Sequence, residues 1–77
     1  MNVGQLIKKL QEFNPEMMVV VDGYEGGFDE LVEHNVQIIG IKLNVRQNDH
    51  YMGNHDLPDE YRNETPDVEV LLLERGN

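Results

Sequence analysis

The chain has 77 residues, 39% of them hydrophobic, with no cysteine and a formal net charge of −9 from 15 acidic and 6 basic side chains. A chain this short leaves much of its surface exposed even when folded, and no disulfide or cysteine-held metal can reinforce it, so the core must suffice or a partner chain must help. The charge sets direct binding of a phosphate backbone aside, because Lys8, Lys9, Lys42, Arg46, Arg62 and Arg75 are scattered along the chain rather than gathered in one segment.

Asn2 and Gln5 have the N-cap and N3 spacing of a capping box. Val3, Leu6, Ile7 and Leu10 then recur at helical spacing, with Phe13 continuing near the same face. The pattern predicts a short amphipathic helix that Pro15 stops. No apolar run approaches the length of a membrane span, and the N-terminus lacks a signal-peptide core, so the expected location is cytoplasmic. The run "MMVVVDG" predicts a first strand buried on both faces or nearly so. Residues 23–35 read as a glycine-punctuated loop with one possible helical turn around Asp29 to Val32.

A second strand is expected in "VQIIGIKLNV", residues 36–45, where the apolar phase switches beside Gly40. A one-residue phase switch signals a bulge or sharp bend. Residues 46–67 carry Pro58 and Pro66 with little periodicity and read as a long polar loop. The closing run "DVEVLLLER" predicts a third strand, with Val68, Val70 and Leu72 on one face and Leu71 and Leu73 on the other. The expected fold is therefore one α+β domain over residues 1–77: an N-terminal helix packed on a three-stranded, mainly antiparallel sheet, in the order α-β-β-β. A single helix covers a single sheet face. The apolar residues left on the second face predict a homodimer or partner surface there, unless the 46–67 loop folds back over it.

Two stretches offer site chemistry. The first, "DHYMGNHD", contains a Gly-Asn-His-Asp run of the kind that metallophosphoesterases place at a two-metal centre. Such centres gather ligands from several motifs on different strands, and none of the other motifs is present, so the match is read as coincidental. A single-metal site would draw on His50, His55, Asp49 and Asp56, with His34 as an outside ligand, since imidazole with carboxylate suits zinc or nickel. The chain has no serine, and its lone Thr65 has no base beside it in sequence, so nucleophilic catalysis finds no candidate. The expectation is a protein that is not an enzyme and needs no cofactor.

The second stretch, "VVVDGYEGGFDEL", runs from a strand into Asp22-Gly23 and then Gly26-Gly27. The glycines permit positive φ and close approach of another molecule, while Tyr24 and Phe28 add flat apolar faces beside Asp22, Glu25, Asp29 and Glu30. It lacks the Lys-Ser/Thr ending of a phosphate-binding loop and the fixed ligand positions of a calcium loop. It is either a turn whose aromatics cap the core or a recognition loop for a protein or small polar ligand. Asp22, Tyr24, Glu25, Gly26, Gly27, Phe28 and Asp29 are the first candidate binding residues; His50, Tyr51 and His55 are the second group.

The segment "NVGQLIKKLQEFNPEMMVVVDGYEGGFDEL" resembles the opening of small proteins of bacteriophages and mobile genetic elements. These begin with a Thr-Val-Gly-Glu-Leu-Ile type helix, a Pro-Asp or Pro-Glu turn, a valine-rich strand and a Gly-Tyr-Glu-Gly-Gly-Tyr-Asp-Asp loop. The chain departs from that pattern at Asn2, Gln5, Phe28 and Glu30. The resemblance implies a setting rather than a reaction: a small acidic accessory protein that acts by binding, for example by blocking a host protein. A small-ligand or metal site between loops 22–30 and 49–56 is the alternative expectation, and mimicry of DNA by the acidic surface is the third.

Overall fold

The computed structural model describes residues 1–46 and 49–76. The elements are helix α1 (Val3–Leu10), strands β1 (Val20–Asp22) and β2 (Phe28–Glu30), a 3-10 turn at Glu33–Asn35, strand β3 (Val36–Ile41), a second 3-10 turn at Glu60–Arg62, and strand β4 (Val68–Leu73). The class is α+β, as expected, but the sheet is not. In place of one three-stranded sheet there are two antiparallel pairs, β1 with β2 and β3 with β4. The chain divides into two compact units, Met1–Val36 with Leu73–Asn77 and Gln37–Leu72.

In the first unit the capping box forms. The Asn2 side chain accepts the Gln5 N–H at 2.8 Å, and the Gln5 side chain accepts the Asn2 N–H at 2.8 Å, satisfying two of the donors that a helix start leaves open. The helix closes at Gln11, before Pro15, through tightened turns in which Glu12 N–H reaches Lys9 O and Phe13 N–H reaches Leu10 O. Asn14 then accepts the Glu16 N–H on its side chain and the Met17 N–H on its carbonyl, a turn for which asparagine followed by proline is well suited.

The segment 23–35 departs from its expectation. Phe28–Glu30 is a strand, and the short helical turn lies at Glu33–Asn35 rather than around Asp29 to Val32. Val20 faces Glu30, Val21 faces Asp29 and Asp22 faces Phe28. The ladder runs on through Leu31 N–H to Val19 O and Gly23 N–H to Gly27 O, each at 3.0 Å. Backbone pairing across a tight turn therefore sets this segment, which its glycine-rich composition obscures. The first strand is also not buried: Met17, Met18, Val19 and Val20 are all exposed.

In the second unit β3 stops at Ile41 instead of running to Val45, and Asn44 adopts a left-handed φ of 55°. Gly40, where the apolar phase switches, is a point of close approach. A Cβ there would lie 2.8 Å from both Cβ and Cγ of Pro66, and a proline ring has little freedom to retreat. Along β4 the half-buried positions are Val70 and Leu72, with Leu71 and Leu73 more exposed, the alternation expected of a strand. No described residue is fully buried.

Substituting Gly40→Ala should destabilise the chain by about 1–3 kcal/mol, the usual cost of forcing a methyl into occupied space. Urea melts of Gly40→Ala with and without Pro66→Ala test the cause. Recovery of most of the loss in the double variant identifies the proline ring as the obstacle, and no recovery refutes it.

Candidate functional site

The hairpin between β1 and β2 positions the first group of candidate residues. Glu25, Gly26 and Gly27 have φ of 61°, 134° and 68°, and 134° is accessible in practice to glycine alone. Gly23 is needed for space: a Cβ on it would come within 2.6 Å of the Gly26 carbonyl oxygen. This turn carries Tyr24 and Phe28 outward, 72% and 73% exposed. The aromatics therefore do not cap a core, which removes one of the two readings of this loop.

A residue remote in sequence joins them. The Arg75 guanidinium carbon lies 4.9 Å from the centre of the Tyr24 ring, a cation-π placement. Gly23, Tyr24, Gly26, Asp29, Arg75 and Gly76 line a cavity of about 360 Å³ within the first unit. Beside Gly76 the amide nitrogen of Asn35 is buried without a hydrogen-bond partner, and a Cβ on Gly76 would meet it at 3.2 Å. Arg75, Gly76 and Asn35 escaped the sequence reading because no local pattern announces a contact spanning some fifty residues. A second cavity in this unit, about 440 Å³, is lined by Leu10, Phe13, Pro15, Met17, Met18 and Val20 among others. Of these, Leu10 and Phe13 belong to the expected apolar helix face, and Met17, Met18 and Val20 to the expected first strand.

The second group lies in the other unit, and there the Gly-Asn-His-Asp run has a structural task. Gly53 O accepts from Arg46 Nη1 at 2.8 Å. Asn54 O accepts the N–H groups of Val45 and Arg46. His55 Nδ1 accepts the Asn44 N–H at 2.9 Å. Asp56 pairs with Lys42 through both backbone groups, and its carboxylate binds Arg46 and the Leu57 N–H. All four residues thus tie this segment to residues 42–46. With Nδ1 accepting a hydrogen bond, a neutral His55 carries its proton on Nε2 and has no lone pair to offer a metal. Asp49 accepts the Tyr51 N–H at 2.8 Å, Tyr51 and His50 are exposed, and His34 belongs to the first unit. Among the described residues no three of His, Cys, Asp and Glu are grouped so as to hold a metal ion. Loops 22–30 and 49–56 belong to different units.

Two carboxylates in the second unit have pKa values below the ordinary carboxylate range. Asp56 is lowered first by its hydrogen bond from Arg46, then by the Leu57 N–H and by the positive charge of Arg46. Asp67 is lowered first by the Leu43 N–H at 2.8 Å, then by Lys42 at 3.0 Å. A carboxyl group that is more acidic in the folded state stabilises the fold above its unfolded pKa. That contribution is lost as pH falls through the folded value. Melting temperatures measured downward from pH 6 should fall below about pH 4, and Asp67→Asn should flatten the fall relative to the parent; parallel curves would refute the assignment. Zinc or nickel should leave the melting temperature unchanged, because an ion that binds only the folded form would raise it, and a rise abolished by His50→Ala with His55→Ala would overturn the structural reading of the run. No protein-family model, no curated protein and no solved structure matches this chain.

Proposed function

We propose that this protein acts by binding another protein and not by catalysis, with the β1–β2 hairpin as its recognition element and Tyr24, Glu25 and Phe28 as contact residues. The observation that carries the reading is the outward display of two large aromatic rings on a turn whose backbone is fixed by glycine requirement and ladder hydrogen bonds. Aromatic side chains held rigidly give large contact area at little entropic cost, the property that enriches them in binding hot spots. The cations elsewhere support a partner other than nucleic acid: Lys9, Lys42, Arg46 and Arg62 each have a carboxylate within 4 Å. The likeness of residues 2–31 to phage and mobile-element proteins supports an accessory role in such a setting.

Self-association is part of the same proposal. The helix stripe of Val3, Ile7, Leu10 and Phe13 is about half exposed, and the groove beside Phe13 and Met18 is apolar. Exposed apolar surface of this kind is stabilised by a second molecule, and a copy of the same chain is always present. This replaces the second sheet face as the expected contact, since the described strands form two separate pairs rather than one three-stranded sheet.

Tyr24→Ala with Phe28→Ala should leave the circular dichroism spectrum intact and alter stability by about 0.5 kcal/mol or less, as for other surface positions. A protein that copurifies with the parent, and rebinds it when both are pure, should fail to bind the double variant. Unfolding of the variant, or retained binding, would defeat the hairpin reading. For self-association the measurement is light scattering over a dilution series: a mass near twice 8.9 kDa is expected, and 8.9 kDa throughout would defeat it.

A further inference from the structure

We propose that the cavity behind Tyr24 binds a small zwitterion of the α-amino acid type, its carboxylate on Arg75 and its ammonium on Asp29. The inference rests on the hairpin being a binding surface and names a second kind of ligand for it.

One observation carries it: the cavity walls hold opposite charges that do not neutralise each other. Arg75 and Asp29 both line it, yet they are not among the ion pairs of the described residues. Arg75 has the Tyr24 ring for its neighbour. A guanidinium held over a ring keeps its planar fork of N–H donors directed sideways, the geometry that suits a carboxylate.

Net charge and size narrow the class. A phosphate or other dianion would meet both the Asp29 carboxylate and the field of a chain at −9, whereas a zwitterion carries no net charge to be repelled. A volume of about 360 Å³ is near the lower end of small-molecule pockets, roughly 300–1,000 Å³, and fits a ligand of amino-acid size. The backbone of Gly23 and Gly26 forms part of the wall, leaving room where side chains would obstruct.

The test is heteronuclear NMR titration of the full-length chain with each common L-amino acid in turn, to about 10 mM, a range that detects binding through mass action. At least one should shift the amides of Gly23, Gly26 and Gly76 in a saturable way. Its N-acetyl derivative, lacking the ammonium, and its amide, lacking the carboxylate, should each bind at least about tenfold more weakly, a difference near 1.4 kcal/mol. Arg75→Met and Asp29→Asn should cause the same loss where their spectra show a folded chain. Comparison of ligand analogues on the parent protein keeps the test valid if either variant fails to fold. Absence of shifts with every amino acid, or equal binding of the N-acetyl form, overturns the proposal. In that case loss of the protein partner in the Tyr24→Ala, Phe28→Ala variant would still uphold the hairpin reading, so the two can fail separately.

Discussion

Three successive residues with positive φ, Glu25, Gly26 and Gly27, bring Gly23 N–H onto Gly27 O at 3.0 Å and so set the register of the whole β1–β2 pair. Everything proposed for this unit depends on that turn. A one-residue slip of β2 would exchange its two faces, moving Asp29 from its half-buried place and exchanging it with the outward neighbours Phe28 and Glu30. The glycines also explain why a chain with no fully buried described residue holds a definite loop. Local backbone geometry supplies the order that a packed core supplies in larger domains.

The other unit is ordered by carboxylates instead. Asp67 receives both the Leu43 N–H and the Lys42 ammonium, and Asp56 receives Arg46 and the Leu57 N–H. Charge-assisted hydrogen bonds of this kind are stronger than neutral ones, and here they are only partly exposed on the cation side, at 27% for Lys42 and 24% for Arg46. This accounts for the Gly-Asn-His-Asp run. Its resemblance to a metal-centre motif reflects shared residue types, while its actual partners are the backbone of residues 44–46, Arg46 and Lys42.

What the sequence disclosed follows the range of the interactions concerned. The capping box of Asn2 and Gln5, the end of the helix before Pro15 and the alternation of Val70, Leu71, Leu72 and Leu73 are local, and each is found in the structure. Strand β2 was hidden because Phe28–Glu30 is short and follows a glycine-rich segment, so periodicity had too few residues to act on. The truncation of β3 at Ile41 depends on Asn44 turning left-handed and on residues 54–56 capturing the backbone beyond it, a contact between segments that apolar phase does not encode. The candidate residues of the hairpin were legible by type, as glycines and aromatics beside carboxylates. Their third partner, Arg75, was not, because stacking on Tyr24 is a tertiary event.

The separation between occupied and unoccupied polar groups gives the sharpest guide to function. Four cations are paired with carboxylates, and the carboxylates of Asp49, Asp56, Asp59 and Asp67 accept from backbone N–H groups. Groups so engaged would have to break a bond before taking up a ligand, which lowers affinity by the strength of what is lost. Around Tyr24 the situation reverses: among the described residues Arg75 and Asp29 line one cavity without an ion pair. The proposed ligand would exchange water for direct hydrogen bonds there, with no ion pair to displace. The same reasoning favours the exposed faces of Tyr24 and Phe28 over Tyr51 as partner contacts. Tyr51 is almost fully exposed in a segment tied down through its backbone, whereas Tyr24 is already held on one face by Arg75 and loses less freedom when a partner covers the other.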